Sequence, residues 1–196
     1  PDGTSLASGS EDHTAKIWDL ETGKPTLDLQ GHSFSVNSVA FSHDGKRLAT
    51  GSGDKSTIIW DLDSGKQILR LEGHTSSITS VAFSPDDKRL ATGSWDNSAV
   101  IWDLQFDKQT LSLKGHSYPI TSVAFSPDGT RLATGSTDNT TIIWNLQSSK
   151  QTLKLLGSGY VYSVTFSPDG KSLATGSGDN SAKIWDLQSG KQTLKL

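Results

Sequence analysis

Apolar residues recur along this chain in short runs bounded by turn residues. From Gly31 onward, Val36-Asn-Ser-Val-Ala-Phe41 leads to Ser42-His-Asp-Gly45, and Arg47-Leu-Ala-Thr-Gly-Ser52 leads to Gly53-Asp54-Lys55. Thr57-Ile-Ile-Trp-Asp-Leu62 follows, then the turn Asp63-Ser-Gly65 and a last run, Gln67-Ile-Leu-Arg-Leu71. β-Branched and aromatic residues favour strands, and Asp-Gly supplies turn dihedrals, so the pattern predicts four strands in this stretch. No segment keeps a 3.6-residue apolar period, so no helix is predicted and the fold class is all-β. Clean alternation of apolar and polar positions marks a sheet with one wet face. Here Val39, Ala40 and Phe41 are consecutive, as are Ile58, Ile59 and Trp60. Both faces of each sheet should therefore be covered.

The same text returns at a fixed interval. Trp18, Trp60, Trp102 and Trp144 are each 42 residues apart, and Trp185 follows after 41. Gly-His opens three of the units and Trp-Asp or Trp-Asn closes each. A repeat of about 40–45 residues with these two marks is the four-stranded propeller-blade signature. The chain resembles the WD40 repeat family over essentially its whole length. The resemblance implies one propeller array over residues 1–196. It would hold a three-strand partial blade at 1–30 and full blades at 31–72, 73–114, 115–156 and 157–196. The chain is expected not to close a ring alone, with further blades coming from a larger parent array or from neighbouring chains; the alternative is a five-bladed monomer that tolerates a three-stranded blade. The fragment has no first strand, so 19 strands are expected. The first residues, Pro1-Asp-Gly, fall in mid-repeat and read as a cut terminus.

His, Thr and Asp recur with the tryptophans, a set that could be mistaken for a hydrolase triad. The sets are His32, Thr50, Asp54 and Trp60; His74, Thr92, Asp96 and Trp102; His116, Thr134, Asp138 and Trp144. In the family these positions form a structural hydrogen-bonded chain, which suits a buried indole N–H and a buried carboxylate that both need partners. A threefold set is also unlike a catalytic site, which departs once from its scaffold. The fifth unit keeps Thr175, Asp179 and Trp185 but has Ser158 for the histidine and lacks one residue beside it. His13 and His43 read as isolated turn residues.

Family positions that touch partners carry over onto Ser35, Asn37 and Gly53; Ser77, Thr79 and Trp95; Pro119, Thr121 and Thr137; and Tyr160, Tyr162 and Gly178. Phe34 and Tyr118 vary beside them. Tyr and Trp are favoured anchors of binding surfaces, which singles out Trp95 and the tyrosine pair. The competing account of Tyr160 and Tyr162 is that they fill space left by the altered Gly157-Ser-Gly159 loop.

Composition narrows the partner class. Eighteen basic against 21 acidic residues give a net charge of −3, without the clustered basic face of a nucleic-acid binder. Cysteine is absent, which removes disulfides and thiolate metal sites and suits either redox environment; a cytoplasmic location is the working expectation. No apolar run reaches the ~20 residues of a membrane helix. No metal, cofactor or catalytic residue is expected. The leading expectation is a scaffold or sensor module that binds a protein or peptide through one rim. The alternative is a structural assembly element in which arcs of blades dock to each other or to a larger complex. An enzyme ranks third.

Overall fold

The computed structural model describes residues 2–196. Nineteen strands and no helix occur among the described residues. They form one three-stranded and four four-stranded antiparallel sheets, each a meander in which sequential strands are neighbours. We refer to them as blades one to five. The first blade holds the strands Ser5–Gly9, Thr14–Asp19 and Pro25–Gln30. The third, as an example of a full blade, holds Ile78–Phe83, Arg89–Ser94, Ser98–Asp103 and Lys108–Lys114.

The observed strands differ slightly from the sequence expectation. In the second blade the third strand is Ser56–Asp61, one residue earlier than the predicted run, and the fourth extends to Glu72 because Ser56 pairs with Glu72. Each full blade has a register shift before its tryptophan, and Trp60 faces Gln67 after Ile59 has faced Leu69. The tight turn before the third strand needs a left-handed residue, at which Asn97 and Asn139 adopt φ 67° and Lys55 φ 73°. Asparagine tolerates this region better than most residues.

The core lies between blades. Ala49, Ile59 and Leu71 of the second blade pack on Ile78, Val81, Leu90, Val100 and Trp102 of the third. The third and fourth, and the fourth and fifth, repeat this arrangement. First strands of neighbouring blades touch one another, which brings them to a common axis. Close approach explains a recurrent glycine. A Cβ on Gly93 would lie 2.6 Å from Ile120 Cγ2, and one on Gly135 would lie 2.7 Å from Val161 Cγ1. Consecutive apolar residues in the middle strands are thus explained, since one set meets the preceding blade and the other the next. The fifth blade differs on its outgoing face. A Cβ on Gly176 would meet only Ser163 of its own blade, at 3.8 Å, and Ala182 is exposed where Thr57 and Ala99 are buried.

Candidate functional site

Each full blade joins its first-strand loop to its tight turn by a backbone bond at one end of the sheet. Gly53 N–H donates to Ser35 O, Trp95 to Ser77 O, Thr137 to Pro119 O and Gly178 to Tyr160 O. The candidate contact residues therefore gather at the same end of each blade. Behind them lies the polar chain. His32 Nδ1 is 2.9 Å from Asp54 Oδ2 and its Nε2 is 2.8 Å from Thr50 Oγ1, while Trp60 Nε1–H donates to Thr50 at 2.9 Å. His74, Asp96, Thr92 and Trp102 repeat this, as do His116, Asp138, Thr134 and Trp144.

The electrostatics of these sets follow from burial. Burial lowers the pKa of His32 and His116, and the adjoining carboxylates only partly offset it. With a neutral ring, Nδ1–H faces the carboxylate and Nε2 accepts the threonine proton. Burial alone would raise Asp54, Asp96 and Asp138. Hydrogen bonds from Ser56, Ser98 or Thr140, from the backbone N–H after each histidine, and from the histidines themselves outweigh it and hold all three below the usual carboxylate range. The order Thr–His–Asp matches a nucleophile, base and orienting acid. Thr50, Thr92 and Thr134 are nonetheless fully buried and each hydroxyl is bound by an indole. A substrate has no access to them, so the arrangement orders strands.

In the fifth blade Trp185 still donates to Thr175 at 3.0 Å. Lys183, at the position of Ile58, Val100 and Ile142, takes over the work of the missing imidazole. Its ammonium is 2.7 Å from Asp179 Oδ2 and 2.9 Å from Ser158 Oγ, and Ser158 also bonds Asp179. The bond from Lys183, then those from Ser158 and Ser181, hold the Asp179 pKa far below the usual range. Sequence reading missed this residue, although a lysine amid β-branched sisters was the visible sign. The first blade has Lys16 at the same register and lacks the histidine, and its Trp18 donates to Ser8 at 2.8 Å.

The structure divides the candidate contact residues. Trp95 is 61% exposed on its turn, and Phe34, Tyr118, Tyr160 and Tyr162 are exposed as well. Tyr160 and Tyr162 form an edge-to-face pair with centroids 6.4 Å apart, beside Gly178. Ser35 and Ser77 are held in the rim loops, where Ser35 Oγ donates to Asn37 Oδ1 at 3.1 Å and the Ser77 carbonyl serves Trp95. Thr137 also reaches back to Pro119 O, at 3.5 Å. Asn37, Thr79 and Thr121 also reach across to the next blade. Asn37 Nδ2 donates to Ile78 O at 2.9 Å, Thr79 Oγ1 to Ile120 O at 2.6 Å, and Thr121 Oγ1 to Val161 O. These side chains spend their polar groups on the next blade, about 40 residues away, a distance that local sequence does not reveal. His13 and His43 are exposed turn residues, as expected, and each has one neighbour. His13 stacks on Phe34 at 5.8 Å, and His43 Nδ1 is 2.9 Å from Asp87 of the next blade. No group of three or more His, Cys, Asp or Glu side chains suited to a metal occurs among the described residues.

Comparison with known proteins fits these sheets. The WD domain, G-beta repeat family matches residues 1–19, 23–61, 65–103, 107–145 and 149–186. Coronin-7 of Mus musculus is 54% identical over 39 residues, which are 20% of this chain and 4% of that protein. Coatomer subunit beta'-1 of Arabidopsis thaliana is 47% identical over 36 residues, 18% of this chain and 4% of the relative. WD repeat-containing protein 37 of Xenopus tropicalis is 50% identical over 36 residues, 18% of this chain and 7% of the relative. The chain thus spans less than a tenth of the length of these curated relatives.

Proposed function

This chain belongs to the WD40 repeat family, and we propose that it is a non-catalytic interaction scaffold that binds a protein or peptide at the rim bearing Trp95. The observation that carries the reading is Trp95 itself. The equivalent turn positions are Gly53, Thr137 and Gly178, whereas here a full indole stands 61% exposed. An indole held in water forgoes the free energy of burial that makes Trp a frequent interface anchor. Phe34, Tyr118, Tyr160 and Tyr162 add aromatic surface at the same end of their blades.

Peptides selected from a random library for binding to the chain test this reading. Trp95→Ala should weaken them by about 2 kcal/mol or more, roughly thirtyfold, as expected of an anchor. The thermal midpoint should stay unchanged, because the side chain packs little. Selected peptides that bind equally well after loss of Trp95, Tyr160 and Tyr162 together place the site elsewhere. A second reading, as an assembly element that docks to another copy or to a larger complex, is favoured by the face at Gly176 and Ala182, which no described residue of another blade covers. Its measurement is the mass in solution, which should exceed that of the single 21.0 kDa chain.

A further inference from the structure

We propose that the seam between the first and second blades is a receptor for an arginine side chain presented by a peptide partner. The occupied form of this site is present three times in the molecule. Arg47 Nη2 donates to Asp87 O at 2.8 Å, and its guanidinium carbon lies 5.5 Å from the Phe83 ring centre. Arg89 donates to Gly129 O at 2.8 Å and lies 5.6 Å from Phe125. Arg131 donates to Gly170 O at 2.7 Å and lies 5.3 Å from Phe166. Three successive seams are each closed by a planar cation on an aromatic face with a carbonyl to accept its proton.

The first seam has the receptor without the arginine. Ser5 pairs with Asp19 as Arg47 pairs with Asp61, so Ser5 holds the register position of the arginines. Phe41 stands where Phe83, Phe125 and Phe166 stand, and Gly45 where Asp87, Gly129 and Gly170 stand. Among the described residues none donates to the Gly45 carbonyl. A cleft of about 430 Å³ opens there, lined by Ser5, Phe41 and Gly45, and by Leu27, Asp2 and Asp44. That size lies within the roughly 300–1,000 Å³ of small-ligand sites. An arginine entering from outside can lay its stem on Leu27, its guanidinium on Phe41 and an N–H on Gly45 O, with two carboxylates near its charge. A lysine has no flat face for the ring and carries a more strongly hydrated charge, so it fits less well. The cleft lies by the Ser42–Gly45 turn, at the opposite end of the blade from the Trp95 turn, so this inference goes beyond the rim reading.

The test uses the isotope-labelled chain titrated with acetyl-Gly-Arg-Gly-amide and with its lysine and citrulline counterparts, followed by NMR. Saturable shifts should centre on Phe41 and Gly45, with the arginine peptide at least about tenfold tighter than citrulline, which keeps the shape and loses the charge. Ser5→Arg should fill the cleft from within and abolish the shifts, and Phe41→Leu should weaken binding. Equal binding of citrulline, unchanged binding by folded Ser5→Arg, or no saturable shift would overturn the proposal. If Ser5→Arg does not fold, Phe41→Leu decides in the same way. Trp95→Ala serves as the control and should leave these shifts untouched.

Discussion

In the fourth blade Asp138 is met by the His116 imidazole at 2.9 Å, and in the fifth Asp179 is met by the Lys183 ammonium at 2.7 Å. The carboxylate, the threonine and the tryptophan keep their places while the donor changes strand. In one case it comes from the loop 22 residues before the aspartate, in the other from four residues after it. What is preserved is a filled donor position on the carboxylate, and not a residue type. The two solutions differ in reach. An imidazole bonds the aspartate and the threonine at once, tying three strands together. The lysine bonds the aspartate and Ser158, and leaves Thr175 bonded only to Trp185 at 3.0 Å.

The contrast is broken most strongly at the histidine. His116→Ala takes one donor from Asp138, which keeps Thr140 and the Ser117 N–H, takes the ring nitrogen from buried Thr134, and opens a cavity beside both, and should cost about 3 kcal/mol in denaturant unfolding. Lys183→Ile restores the residue type of the sister blades and should cost less, about 1–2 kcal/mol. Its new side chain enters an apolar seam, and Asp179, 15% exposed, keeps Ser158 and Ser181 and some water. A loss at Lys183 as large as at His116 would mean that the ion pair, and not the chain of hydrogen bonds, holds a blade together.

Acid should separate the same two regions with a smaller effect. His32 and His116 have pKa values lowered in the folded state, so the unfolded chain binds more protons once the pH falls below about 6.5. Stability is therefore complete near neutral pH and is lost as pH falls from about 6.5 toward the lowered values. Asp179 is also lowered, and its contribution is present above about pH 4 and lost only below it. Hydrogen exchange at pH 5 should weaken around Trp144 while protection around Trp185 stays near its neutral value. Parallel loss in both blades would remove the histidines as the cause.

Much of this was legible in the sequence because the chain repeats itself. Tryptophans at a fixed interval placed the third strands, and His32, Thr50 and Asp54 could be matched to Trp60 by comparison with two further copies. The rest depended on contacts between units. Lys183 is the exception to Ile58, Val100 and Ile142, but only the fold places its ammonium on Asp179. Asn37 and Thr79 lie at rim positions by local count, yet their partners are carbonyls of the next blade. Ser5 takes its meaning from the register that sets it against Arg47, Arg89 and Arg131.

The smallest expected effect sharpens the comparison at the seam. Thr79 Oγ1 donates its proton to Ile120 O at 2.6 Å and also lies 3.0 Å from Gly93 O, so it ties its own blade to the next. Thr79→Val leaves the Ile120 carbonyl short of that donor and should cost about 1 kcal/mol. Tyr162 holds the same register position in the fifth blade, but its ring lies exposed against Gly178 and Tyr160. The outgoing face there offers no neighbouring carbonyl, because Gly176 meets only its own blade. Tyr162→Thr should then change stability by no more than about 0.5 kcal/mol, as exposed substitutions do. Thermal unfolding of the two variants side by side is the measurement. Equal costs would show that the outgoing face of the fifth blade is engaged in solution. A cost at Thr79 alone would show that this position stabilises a blade only when another blade follows.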